Sequence, residues 1–468
     1  VDFRRETVAD LAAQVRAGQL ASRELVQHAL DRIEALNPDV NAFTEVHADE
    51  ALAAAATLDD QVATGEEVGP LAGIPVGVKD LEDAAGYRTT YGSPAFERVA
   101  LAQTDAEHVA RLKQAGAIVV GKTNTPEVGH KADTRNAVWG TTRNPWSLDR
   151  SPGGSSGGSG AALAAGMVPL CTGSDGGGSI RIPAAVNGMS GFKPSLGRIP
   201  DGGARNTAWP DLSTKGPMAL RVPDIALALD VVVGPDPRDI RSLPMPASAW
   251  LPQVLDPGAP LKVGWSPTLG YGSVDSEVHQ LCEDALQVLE GLGTEVIEVP
   301  TVWDEDPVGH FLRISGAGSL RVLDEHRGTE VWERFDDTLR FGLDGAADLS
   351  AVELFHSLDA GHLLNLRLVE VFHEVDLLLS PTCAGQTPEA DSIMGTVDGE
   401  PEINWVQNTY PFNLTRSPAG TVVAGLTADG MPVGLQVVGP QHADVAVLRL
   451  MHLLELAIGF DQVAPTGS

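Results

Sequence analysis

Residues Arg150–Gly160, RSPGGSSGGSG, are the stretch on which the reading of this chain turns. All of it except Arg150 and Pro152 is glycine or serine. Such runs behave as flexible coil and serve as spacers between domains. The same small residues also let a backbone come close to a reacting atom. What lies on either side decides between a hinge and the floor of an active site.

Working outward, the flanks read as alternating strands and helices. Upstream, LAGIPVGVKD holds a short apolar strand, Ile74 to Val78, that ends at Lys79. The helix AEHVARLKQAGA then leads into a second apolar strand, AIVVGK. Downstream, GAALAAGMVPL reads as a small-residue helix followed by a strand. LKVGWSP and TEVIEVP are strands flanking the amphipathic helix SEVHQLCEDALQVLEGLG. VDLLLSPT, GTVVAGLT and GLQVVGP are further strands, with a helix over DVAVLRLMHLLELAIG. This order predicts an α/β fold: a mixed, mostly buried β-sheet with helices on both faces. Helices are expected over 5–60, where Thr7 caps one and Leu25, Ala29, Leu30, Ile33 and Leu36 line one face of the next. His28 sits at that helix's edge. Residues 236–370 read as a helical cover on the sheet, within one domain spanning 1–468. A core over 65–235 and 371–465 completes that domain.

Bulk composition narrows the function classes. Of 468 residues, 32 are Lys or Arg and 63 Asp or Glu, a net charge of −31. Such a surface repels phosphate backbones and anionic lipid, so neither nucleic acid nor membrane is an expected partner. Cys171, Cys282 and Cys383 are too scattered for a disulfide framework or a zinc site. The start, VDFRRETVADLAAQ, has no apolar signal core, and the expected setting is cytoplasmic.

Two motif matches fail on context. GAIVVGKT, Gly116–Thr123, fits the phosphate-loop expression, but its middle residues are a β-branched strand whose N–H groups belong to a ladder. GGSSG, Gly153–Gly157, fits the nucleophile elbow, yet TRNPWSLDRSP before it is no strand. The twelve histidines include no HExxH, and no metal or cofactor is expected.

One constellation survives these tests. In CTGSDGGGSIRIP, Gly176, Gly177 and Gly178 precede Ser179. Consecutive glycines allow a tight turn with converging N–H groups, as an oxyanion hole requires. Ser179 can attack a carbonyl held there. Burial at the end of its strand would lower the pKa of Lys79 and make it a base.

Together GIPVGVKD, GKTNTPEVG, WGTTRNPW, SPGGSSGGSGAALAAG, GSDGGGSIRIPAA and GFKPSLGRIP resemble the amidase signature family of serine hydrolases, in the family's order, over roughly 5–235 and 370–460. The resemblance implies that Ser179 is the nucleophile, Ser155 the middle serine held by a cis peptide bond, and Lys79 the base. The backbone N–H groups of Gly176, Gly177, Gly178 and Ser179 would form the oxyanion hole. Asp175, Arg181 and Ser156 would support the site, although Asp175 also fits a plain turn cap. Gly129 and His130 fall where the family lines its acyl pocket, and a structural histidine fits His130 at least as well. Asn413 suggests a backbone-bonding role, and Arg416 departs from the small residue common there. Phe311, Leu312, Trp332 and Phe341 suggest an apolar entrance that core packing explains equally well. The implied activity is hydrolysis of linear carboxylic amides, extending to anilides, esters or carbamates, by a monomer or homodimer that takes a small-molecule substrate. The alternative within the family is the amide-hydrolysing component of a glutamyl-tRNA(Gln) amidotransferase, releasing ammonia from glutamine for partner proteins.

Overall fold

The structure, a computed structural model, describes residues 1–202, 208–256, 258 and 261–466. Eleven strands build two large sheets: β1 (Phe43–Val46), β2 (Pro75–Lys79), β3 (Ile118–Thr123), β4 (Leu170–Asp175), β5 (Gly191–Lys193), β6 (Thr214–Met218), β7 (Lys262–Trp265), β8 (Glu295–Glu298), β9 (Leu377–Pro381), β10 (Ala419–Leu426) and β11 (Pro432–Val438). The first sheet has the order β1-β3-β2-β4-β6, parallel at its centre and antiparallel at both edges. The second has the order β8-β7-β9-β11-β10-β5, parallel over its first three strands and antiparallel over the rest.

The mixed sheet expected from the sequence is therefore divided in two, and helices flank both parts. The parts meet beside β5 and β6, where Ser190 N–H donates to Leu220 O at 3.0 Å. Central strands covered on both faces show as continuous apolar runs, not alternation. Accordingly, every residue of β2, β9 and β11 is buried.

Local sequence accounts for several helix starts, with side-chain caps from Thr7, Asp275, Asp336 and Ser350. The Thr7 hydroxyl accepts from Asp10 N–H and caps Val8–Arg16. In Ser22–Val40, Leu25, Ala29, Leu30 and Ile33 are buried, whereas Leu36 is half-buried near the helix end. His28 packs edge-on against Phe3, at the boundary expected for it. The phosphate-loop match is resolved the same way, because its middle lies in β3, paired with β1 and β2.

Residues 236–370 differ from a uniform helical cover. β7, the helix Ser276–Gly291 and β8 form a strand–helix–strand unit that joins the second sheet. The helices of the cover begin only at Val308, with Val308–Leu323, Asp337–Ala347 and Ala351–Phe372. The two strands, four residues each, are short beside those helices, so composition averaged over the region hides them. No helix among the described residues is long and apolar enough to cross a membrane.

The glycine-serine run is packed, not free. It leads into the helix Gly157–Ala164, whose eight residues are all buried. A methyl group on Gly158 would lie 2.3 Å from Asn124 N, and one on Gly154 would lie 2.7 Å from Lys131 O. Side chains there would separate the run from the loop that follows β3. The small residues are thus a condition of packing.

Candidate active site

Lys79 ends β2 with its side chain fully inside the protein, 0% exposed. Its Nζ donates to the hydroxyls of Ser155 at 2.8 Å, Ser156 at 2.8 Å and Ser174 at 3.1 Å. Burial, reinforced by the charge of Lys215, lowers its pKa to about 7, against the opposing pull of Glu82 and Asp175. An amine with such a pKa has the protonation state that a base toward a neighbouring hydroxyl needs near neutral pH.

Sequence reasoning did not single out Ser174. A strand's period of two sets Thr172 and Ser174 on one face of β4, beside β2. Thr172 Oγ1 accepts from Lys79 N–H at 3.0 Å, on that same face. The alternation in CTGSD was the signal available.

The three serines come together at the end of β2. The Gly154–Ser155 peptide is cis. Ser156 N–H donates to Ser179 O at 3.2 Å, tying the serine turn to the glycine loop. Ser156 Oγ also donates to Ser174 O at 3.3 Å. Ser179 is 8% exposed and lies beyond Gly177, the one half-buried residue of Gly176–Ser179. Among the described residues no hydrogen bond joins the Ser155 and Ser179 hydroxyls.

Asp175 and Arg181 brace the loop between them. Arg181 Nη2 donates to Asp175 Oδ1 at 2.9 Å and Nε to Oδ2 at 3.0 Å, with both side chains buried. Burial opposes ionisation of Asp175, but the Arg181 charge and hydrogen bonds hold its carboxyl far below the usual range. Asn413 Nδ2 donates to Asp175 O and Oδ1, both at 2.9 Å, and Asn413 Oδ1 accepts from Arg181 Nη2 at 2.7 Å. Its bonds to backbone thus extend into the bracing pair itself. Removing Arg181 would leave a buried, unpaired carboxylate. Arg181→Met is expected to lose about 3–5 kcal/mol in chemical denaturation.

One donor of the expected oxyanion hole is turned away. Gly178, at φ +117°, gives its N–H to Asp175 Oδ1 at 2.8 Å. A string of glycines announces a turn but not which way each N–H points, so this could not be read in advance. Gly178 shapes the loop, which leaves Gly176, Gly177 and Ser179 as the candidate donors.

The two acyl-pocket candidates separate. Gly129, at φ +75°, borders Ser155: a methyl group there would sit 3.2 Å from Ser155 Oγ. The His130 ring instead bonds Glu127 O at 2.8 Å and Thr338 Oγ1 at 2.7 Å, which ties its loop to the cover. Both ring nitrogens are engaged away from the serines. Arg416 is exposed and reaches toward Asp211 at 3.6 Å.

Aromatic rings stand against the glycine loop. A methyl group on Gly177 would meet Phe311 at 2.6 Å, and one on Gly176 would meet Trp209 at 2.5 Å. Phe311 stacks on Tyr410 with centroids 5.1 Å apart and meets Trp209 edge-on at 6.1 Å. Tyr410 O–H donates to Asp306 Oδ1 at 2.7 Å. Of the suggested entrance residues, Phe311 alone is in this wall. Trp332 is buried with Phe335 and Leu339, while Leu312 and Phe341 face outward. Among the described residues, no cluster of three or more His, Cys, Asp or Glu side chains could hold a metal ion.

The family model described as Amidase matches residues 24–448. The chain belongs to the amidase signature family. An acylamidase of Rhodococcus erythropolis is 37% identical over 97% of this chain and 95% of its own. A glutamyl-tRNA(Gln) amidotransferase component from Chromohalobacter salexigens is 35% identical over 97% of this chain and 96% of its own. Among solved structures, a bacterial aryl acylamidase of the amidase signature enzymes superposes with a TM-score of 0.91 at 31% identity, covering 99% of this chain and 98% of its own. The amidase signature assignment makes this chain an amide-hydrolysing enzyme and agrees with its mixed sheets flanked by helices.

Proposed function

We propose that this amidase hydrolyses linear carboxylic amides, with anilides, esters and carbamates open to the same chemistry, through Ser179, Ser155 and Lys79. The observation that carries the reading is the buried Lys79 Nζ, 2.8 Å from Ser155 Oγ in a setting that lowers its pKa to about 7. Neutral Lys79 accepts the proton of Ser155, Ser155 takes that of Ser179, and Ser179 Oγ adds to the amide carbonyl carbon. The oxyanion is met by N–H groups of Gly176, Gly177 and Ser179, where one donor is worth roughly 3–4 kcal/mol. The proton returns through Ser155 to the leaving nitrogen, the C–N bond breaks, and an acyl-Ser179 ester remains. Water hydrolyses that ester by the reverse relay.

Phe311, Trp209 and Tyr410 favour an apolar, aromatic substituent beside the carbonyl. Phe311→Ala is expected to lower kcat/KM for an anilide about tenfold or more, and for acetamide much less. Equal losses on both substrates would remove the ring from substrate selection. A hydrolysis screen over primary amides, anilides, esters, carbamates and glutamine, with mass detection of acyl-Ser179, tests the whole reading.

The second reading, the amide-hydrolysing component of an amidotransferase, is favoured by the 35% identity to the Chromohalobacter salexigens protein. It requires a chain that is inert on simple amides and releases ammonia from glutamine only once its partner proteins are added.

A further inference from the structure

The helix Ala351–Phe372 has two apolar faces where a covering helix needs one. Its inner face, with Ser357, Ala360, Gly361 and Leu368, is buried against the body of the protein. A methyl group on Gly361 would lie 2.9 Å from Leu414 O, so the contact is close. On the opposite side Val352, Phe355, Leu358, Leu363, Leu366 and Val369 are 39–64% exposed. At 3.6 residues per turn these six fall within an arc of about 140° and form a continuous stripe. Single exposed apolar residues are ordinary, but an aligned stripe of this length marks a contact surface.

The order of residues along the stripe names the occupant. Measured from the midpoint between Ala360 and Gly361, Val352 and Val369 are equidistant, as are Phe355 and Leu366, and Leu358 and Leu363. Asp359 and His362, both exposed on the same face, are also equidistant from that midpoint. Turning the helix end for end therefore lays apolar on apolar at three levels and the carboxylate on the imidazole at the fourth. An isologous interface demands such self-complementarity. Glu370, at the edge of the stripe, is already paired with Arg367 of its own helix at 2.7 Å. In a chain of net charge −31, this face sets an imidazole of each copy at the level of the other copy's carboxylate.

We propose that the stripe seats a second copy of this chain, the two helices Ala351–Phe372 crossing antiparallel about a two-fold axis at Ala360–Gly361. The same helix packs on Val308–Leu323, which carries Phe311, so the dimer would brace the helix behind the aromatic wall.

Sedimentation velocity on the full chain at micromolar concentration tests this. The wild type is expected to sediment as a dimer. Phe355→Asp, a change at an exposed position, should weaken dimerisation by about 100-fold or more, because both copies lose the ring, while the far-ultraviolet spectrum stays that of the wild type. Register is read separately. The double variant Phe355→Cys/Leu366→Cys, at the two positions on the centre line of the stripe, should form an inter-chain disulfide on oxidation, far faster than either single variant, since Cys171, Cys282 and Cys383 are all buried. A wild-type monomer would overturn the proposal, and so would a dimer that survives Phe355→Asp. A monomer that floats with neutral phospholipid vesicles, and loses them in Phe355→Asp, would also overturn it and assign the stripe to lipid.

Discussion

Ser179→Ala is expected to reduce kcat/KM by about 10⁴-fold or more and to abolish any acyl adduct detectable by mass. The side chain sits at the end of a loop held by Asp175 and Arg181, so losing its hydroxyl leaves the bracing bonds in place. Thermal stability should therefore stay close to that of the wild type, separating chemistry from folding. Residual activity above water would come from the loop's N–H groups and from substrate binding. Ser155→Ala should fall in the same range, because it interrupts the proton path between Lys79 and Ser179. Since the three groups act as one unit, Lys79→Ala/Ser179→Ala should be no worse than Ser179→Ala alone. A Ser179→Ala enzyme that still forms an acyl adduct would reject the nucleophile assignment.

The parts legible in the sequence were those where one local rule decides. Fully buried strands announce themselves as apolar runs, and β2, β9 and β11 are all of this kind. The run Arg150–Gly160 was legible as a packed loop beside Lys79, not a spacer, because its neighbours were a strand ending in lysine and a second glycine turn. What escaped depends on three-dimensional approach. Trp209 and Tyr410 lie far apart in the chain and meet only through Phe311. β1 is four residues of an edge strand between long helices, too short to carry a pattern. His130 sits beside Gly129 in sequence, yet a bond to Thr338 draws its ring toward the cover. The loop Gly176–Ser179 was recognisable as a turn, but the direction of the Gly178 N–H is set by Asp175, whose own orientation is set by Arg181 and Asn413.

Lys79 should show its protonation state twice, once in rate and once in stability. With a pKa of about 7 in the folded protein, it is a cation below neutrality and a base above it. The plot of kcat/KM against pH is expected to rise through about 7 and then level off. Lys79→Met should remove that rise together with most of the activity, whereas an unchanged profile in the variant would assign the titration to another group. The stability effect has a definite sign. In the unfolded chain the same amine titrates near its ordinary 10.5, so between about 7 and 10.5 the unfolded state holds a proton that the folded state lacks. Stability then rises with pH across that window, and folding carries the full cost of the buried amine only below it. Lys79→Met, which lacks this cost, should exceed the wild type in unfolding free energy by most near pH 7, with the difference narrowing toward pH 10.5. Lys193, also buried and lowered to about 7, is present in both proteins and cancels from the difference. A gap that stays constant or widens with pH would place the Lys79 pKa near its ordinary value and leave Ser155 without a base.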